Sequence, residues 1–195
     1  KSMNADLSVI NKKSKDYKMI ETYFNKTKGG YSGAELLDVW AVDRSDEKER
    51  FEKYDELDNR RLLWHGTNIA VVAPILTSGL RIMPHSGGRV GAGIYLASMQ
   101  QKSAQYTSHY GAKFGCMFLT EAVLGKPHQV TSDGSHASGL RKAPTGFNSV
   151  HAVGTTQPKT WKNMTIDGKA VKVPQDEGVA TSVTSSFGHD EFLVY

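Results

Sequence analysis

Arg60-Arg61-Leu62-Leu63-Trp64-His65-Gly66-Thr67 is the stretch on which the reading of this chain turns. Its apolar core from about Arg61 to Trp64 is short, so it reads as a buried strand that delivers His65, Gly66 and Thr67 at its end. Two later segments answer it. Gly93-Ile94-Tyr95 follows, and Asp190-Glu191-Phe192-Leu193-Val194-Tyr195 lies near the end. Each sets one polar or aromatic side chain within a strand-like run, where alone it would only point to solvent.

Upstream of this stretch, Asp6 to Ile10 reads as a short strand. An amphipathic helix follows from about Lys15 to Lys26, with Met19, Ile20, Tyr23 and Phe24 at helical spacing and Gly29-Gly30 closing it. Glu35 to Val42 alternates like a strand. Ser45, with acidic residues behind it, reads as the cap of a helix running to about Leu57. Downstream, Asn68 or Thr67 can cap a helix that Gly79 ends. Pro84 to Gly93 is a glycine-rich loop, Ile94 to Ala97 a short strand, and Ser98 a cap for a helix through Ala104 and Tyr106. Cys116 to Val123 is the strongest strand pattern in the chain. Beyond Gly125, short strands are expected near Thr165–Ile166, Ala170–Val173 and Phe192–Tyr195. The pattern is that of one mixed α+β domain built on antiparallel sheets.

Composition narrows the possibilities. At 195 residues the chain is one domain by size, with a 38% hydrophobic share. No apolar run approaches the roughly 20 residues that a membrane helix needs. No secretory leader opens the chain, and a single cysteine, Cys116, excludes an internal disulfide framework or a cysteine zinc cluster. These features fit a reducing compartment, cytosol or nucleus. The net charge of +4 is uneven: residues 1–60 hold 12 basic and 13 acidic side chains, residues 61–195 hold 12 and 7. That excess suits an anionic ligand such as a dinucleotide. It is too diffuse for a nucleic-acid footprint, which clusters on one element.

Generic nucleotide and nucleophile motifs are absent: there is no phosphate loop, no Rossmann glycine turn and no nucleophile elbow. No two of the seven histidines form a tight ligand pair, so no metal is expected. The His65, Tyr95 and Glu191 segments, in this order, resemble the His–Tyr–Glu signature of poly(ADP-ribose) polymerase catalytic domains, which transfer ADP-ribose from NAD+. The resemblance covers most of the chain. It extends through Ile75-Leu76-Thr77-Ser78-Gly79-Leu80-Arg81-Ile82, Gly91-Ala92-Gly93-Ile94-Tyr95, Lys102-Ser103-Ala104-Gln105-Tyr106 and Glu121-Ala122-Val123-Leu124-Gly125. Arg81-Ile82-Met83-Pro84 and the short glycine loop after it are most similar to the branch that responds to DNA strand breaks.

The resemblance implies an ADP-ribosyltransferase fold: α+β, two packed, mainly antiparallel sheets flanked by short helices, filling residues 1–195. It implies NAD+ as co-substrate and no metal. Glu191 would hydrogen-bond the nicotinamide ribose and favour the cationic transition state, while His65 would hold the adenosine-side ribose. Gly66 would grip the carboxamide through its backbone, Ser103 would add a hydroxyl, and Tyr106 and Tyr95 would form the walls around the nicotinamide ring. Thr67, Gly79 and Arg81 would lie around the adenosine half. Acceptors would be Glu, Asp or Ser side chains of proteins, in the setting of DNA damage response and repair in the nucleus, with the cytosol as a further location.

Three departures stand out. His189-Asp190 replaces the Tyr-Asn pair before the glutamate of the best-known polymerising members, Ala92 replaces a lysine, and the family pattern continues past Tyr195 with another strand. A regulatory helical domain would also precede this segment. The triad permits single or repeated transfer, and the branch resemblance favours mono-ADP-ribosylation. Two alternatives stay open: a catalytically silent NAD+- or ADP-ribose-binding module, against which the intact triad argues, and a secreted toxin of the same His–Tyr–Glu class. Any DNA contact would come from domains outside the chain, and no membrane partner is implied.

Overall fold

The computed structural model describes residues 4–29, 33–85, 87–107 and 113–195. β1 (Ala5–Val9) leads to α1 (Lys15–Thr27), whose N-terminus Ser14 caps by accepting from the Tyr17 N–H at 3.1 Å. The expected Glu35–Val42 strand is shorter and later: β2 spans Trp40–Arg44 and pairs antiparallel with β1. Residues 34–39 run irregularly, with Leu36 and Val39 packed on the α1 core instead of forming a ladder. α2 (Glu47–Glu52) buries no residue, so nothing carries it on to Leu57. Ser45 does not cap it; its hydroxyl donates to Asn4 Oδ1 at 2.7 Å, and Asp46 holds the N-cap position.

β3 (Arg60–Gly66) is followed by a single 3₁₀ turn, Ile69–Val71, capped by the Asn68 side chain, and by α3 (Val72–Ser78). β4 (Ile94–Ala97) falls where its sequence predicts. Ser98 does not cap the next helix. Its hydroxyl is buried without a hydrogen-bond partner, and Met99 is the N-cap of the short α4 (Gln100–Ala104). Then come β5 (Met117–Val123), β6 (Pro127–Val130), α5 (Ser135–Ser138), β7 (Ser149–Ala152) and β8 (Thr156–Pro158). β9 (Trp161–Ile166), β10 (Lys169–Pro174), β11 (Gly178–Ala180) and β12 (Glu191–Val194) complete the described elements. No helix among the described residues is long and apolar enough to cross a membrane.

Hydrogen bonds link eight strands in the order β6-β7-β12-β4-β3-β10-β9, with β5 on the other edge of β3. Only β3–β10 and β6–β7 are parallel. The sheet curls into two halves, β6-β7-β12-β4 and β5-β3-β10-β9, joined between β3 and β4 by the Trp64–Ala97 pair. Leu63 and Ala122 of one half pack on Leu96 and Phe192 of the other. These halves are the two packed, mainly antiparallel layers of the expected α+β fold. Strand alternation explains the packing: Leu62 and Trp64 face the other way from Leu63, onto Ile20, Tyr23 and Phe24 of α1. Each such fully buried side chain contributes about 1.5–3 kcal/mol.

Candidate functional site

Three elements converge where the halves meet. β3 delivers His65 at its end. A carbonyl only accepts, so His65 Nδ1 donates its proton to the Tyr95 carbonyl at 2.8 Å. Nε2 of the neutral ring is then left as the acceptor. Burial pushes the His65 imidazole below its ordinary 6.5, the bond to Tyr95 opposing in part, so the neutral form holds at pH 7.

On the neighbouring half, β4 and β12 run antiparallel with Tyr95 opposite Leu193 and Ala97 opposite Glu191. Directly opposed residues share a sheet face, so the Tyr95 and Glu191 side chains project from the same side. The Tyr95 hydroxyl donates to the Gly91 carbonyl at 2.6 Å and accepts from the Val90 N–H at 3.3 Å. Chiefly through burial, its phenol is pushed up to about 12, so it stays protonated. The loop carrying Gly91 and Ala92 is tightly packed: Ala92 is buried and its N–H donates to the Leu140 carbonyl.

Glu191 is only 6% exposed, and its carboxylate lies 3.4 Å from Lys102 Nζ on α4. The same ammonium lies 3.4 Å from the Tyr106 hydroxyl and 5.4 Å from that ring's centre. Tyr106 is 56% exposed. Lys102 thus ties Glu191 to the exposed tyrosine, a connection that sequence reading left without a role.

Gly66 and Ser103 meet closely. A Cβ built on Gly66 would overlap the Ser103 carbonyl. The Ser103 hydroxyl donates to the Trp64 carbonyl at 2.9 Å, leaving its oxygen lone pairs as acceptors. Thr67 follows at half-buried depth. Gly79 and Arg81 stand apart from this cluster. Gly79, at φ 77°, ends α3 against the Arg44 and Glu47 side chains, and Arg81 is exposed. Both border an open cavity of about 2530 Å³ between the β1–β2 pair, α1 and β5. That volume exceeds the roughly 300–1,000 Å³ of a typical small-ligand site. His65, Gly66, Tyr95, Ser103, Tyr106 and Glu191 do not line it.

The donor set fits a dinucleotide with ribose hydroxyls and an aromatic amide. It offers a neutral imidazole with a free acceptor nitrogen, a buried carboxylate held by one cation, an exposed aromatic ring and a side-chain-free strand end. No group of three His, Cys, Asp or Glu among the described residues is arranged to hold a metal ion.

Residues 14–195 match the family described as "Poly(ADP-ribose) polymerase catalytic domain". The chain is 47% identical to the mouse "Protein mono-ADP-ribosyltransferase PARP3" and 43% identical to the human protein of that name, each match covering 99% of this chain and 37% of the relative. It is 33% identical to chicken "Poly [ADP-ribose] polymerase 1", covering 99% of this chain and 19% of that protein. It therefore spans little more than a third of the first two relatives. With the triad segments, the curled sheet and a match over nearly its full length, the chain belongs to the poly(ADP-ribose) polymerase catalytic domain family.

Proposed function

We propose that this domain is an NAD+ ADP-ribosyltransferase, a pentosyl transferase that moves ADP-ribose from NAD+ to protein side chains and releases nicotinamide. The observation that carries the reading is the Glu191 carboxylate, buried beside Lys102 on the same sheet face as Tyr95. In the transfer, the bond between the ribose anomeric carbon and nicotinamide breaks, and nicotinamide leaves with the bonding pair. The anomeric carbon then bonds an acceptor oxygen, from a carboxylate or from a hydroxyl that gives up its proton. Glu191 holds the nicotinamide-side ribose hydroxyl and offsets the developing positive charge. Lys102 keeps that carboxylate in place between turnovers. Tyr106 and Tyr95 flank the nicotinamide ring, and the Ser103 oxygen accepts from the carboxamide N–H, since its own proton is used on Trp64. His65 Nε2 accepts from an adenosine-side ribose hydroxyl, with Thr67, Gly79 and Arg81 nearer the adenosine end.

Transfer of single units is favoured by the greater identity to relatives named mono-ADP-ribosyltransferase than to one named poly polymerase. Acceptors are Glu, Asp or Ser side chains. Through the strand-break branch resemblance of Arg81-Ile82-Met83-Pro84, we assign the activity to DNA damage repair in the nucleus, with any DNA contact supplied from outside this chain. A tagged protein that stays out of the nucleus and never gathers at breaks contradicts that setting. Incubation with labelled NAD+, resolved on a gel, tests the transfer. Discrete labelled bands are expected, and a high smear would mean polymer. Stabilisation by 3-aminobenzamide with no labelling is the outcome of a silent binding module and contradicts transfer.

A further inference from the structure

Asp190 is only 2% exposed, yet it carries a carboxylate immediately before Glu191. Its Oδ1 accepts from the Gly154 N–H at 2.8 Å and from Gln157 Nε2 at 3.1 Å, and lies 2.9 Å from His151 Nε2. The His151 N–H is poorly aimed at that oxygen, so this is a close contact without a hydrogen bond. The His151 ring cannot swing away, because it stacks on Phe192 at 4.3 Å and 17°. Arg61, held over the Trp161 and Phe192 rings, adds positive potential from the facing half of the sheet. A carboxylate this deep persists only with such partners.

The backbone is tight at the same point. A Cβ added to Gly154 would overlap the His189 carbonyl carbon and the Asp190 nitrogen, whereas Gly188, two residues earlier, has open space around it. The chain arrives already tied, the Thr155 N–H donating to the Phe187 carbonyl and the Thr156 N–H to the Gly188 carbonyl, and Asp190 adds the last side-chain anchor before β12 begins. The ladders with β4 and β7 set the roll of β12, and because neighbours on an extended chain project to opposite faces, the contacts of Asp190 brace that roll at the residue before Glu191.

We propose that Asp190, held by Gln157 and the Gly154 N–H with His151 packed beside it, is a positioning residue that holds the Glu191 carboxylate in place beside Lys102 for transfer. The proposal rests on the reading of Glu191 given above. It is tested by nicotinamide release against NAD+ concentration for Asp190→Ala, Asp190→Asn and Gln157→Ala beside Glu191→Gln, with a 3-aminobenzamide thermal shift on the same samples. Asp190→Ala should lower kcat about tenfold to a hundredfold, the scale of a small misplacement of a reacting group. KM for NAD+ and the thermal shift should stay within about twofold of the parent, since the nicotinamide walls lie on other elements. Asp190→Asn keeps an acceptor oxygen for Gly154 and Gln157 and should recover part of the loss. Gln157→Ala, at a half-buried position, should fold and lose kcat by a few fold.

Parental kcat in Asp190→Ala and Gln157→Ala overturns the proposal. So does a fall in kcat matched by an equal loss of the thermal shift, which would make Asp190 a fold residue only. If Asp190→Ala does not fold, Asp190→Asn and Gln157→Ala decide by the same split. Parental turnover in Glu191→Gln overturns the reading of Glu191 and the proposal with it. An inactive Glu191→Gln beside an unaffected Asp190→Ala overturns the proposal alone.

Discussion

Gly66 answers two demands. On the proposed function the strand end stays clear for a ligand, and the α4 backbone passes where a side chain would begin. Gly66→Ala should therefore destabilise the fold by about 1–3 kcal/mol, as overpacking does, and abolish 3-aminobenzamide stabilisation. Urea unfolding at parental stability would contradict this. His65 carries a pH signature. Burial lowers its folded value beneath 6.5, so between those two values the unfolded chain binds more protons than the folded one. Stability is then complete above 6.5 and is lost as pH falls towards the folded value. His189, lowered chiefly by burial and then by Lys102, acts in the same direction. The melting temperature should fall between pH 7 and pH 5.5, and His65→Gln should reduce that fall; an unchanged pH response in the variant counts against burial lowering the proton affinity of His65. His65, Tyr95 and Glu191 could be singled out in the sequence because their three segments, in this order, resemble one family signature, although each alone would only point to solvent. The placement of His151 beside Asp190 could not, because it joins positions 39 residues apart in sequence and depends on the pairing of β7 with β12.

α1 and β4 were readable almost to the residue because their periodicity is strong and their ends are marked. The structure adds the Ser14 cap: Ser14→Ala should cost about 1 kcal/mol by chemical denaturation, and no change would mean that packing on β3 alone holds the helix end. Boundaries failed where tertiary contacts override local pattern. Leu36 and Val39 follow the α1 core instead of extending β2, and Ser98 is drawn into the interior instead of capping α4. β7 escaped notice because a strand buried throughout lacks alternation, and β6 because it is short and half-exposed, with His128 and Gln129 between its apolar ends.

The candidate site exists only because the curled sheet brings its two halves together. One half supplies His65, the other supplies Tyr95 and Glu191, and α4 bridges them with Lys102 and Ser103. The order of these segments is visible in the sequence, whereas their convergence needs the Trp64–Ala97 junction. The Lys102–Glu191 pair follows from that geometry, and its loss should be asymmetric: Lys102→Met leaves a buried carboxylate alone and should weaken both stability and turnover, while a neutral response would make the pair incidental. The central claim is that Glu191 carries the transfer step. The most direct measurement is the initial rate of nicotinamide release from saturating NAD+ by the parent chain and by Glu191→Gln, with 3-aminobenzamide binding checked in both. The account predicts a fall of about 10²–10⁴-fold in rate with inhibitor binding retained; equal rates in the two proteins would contradict it.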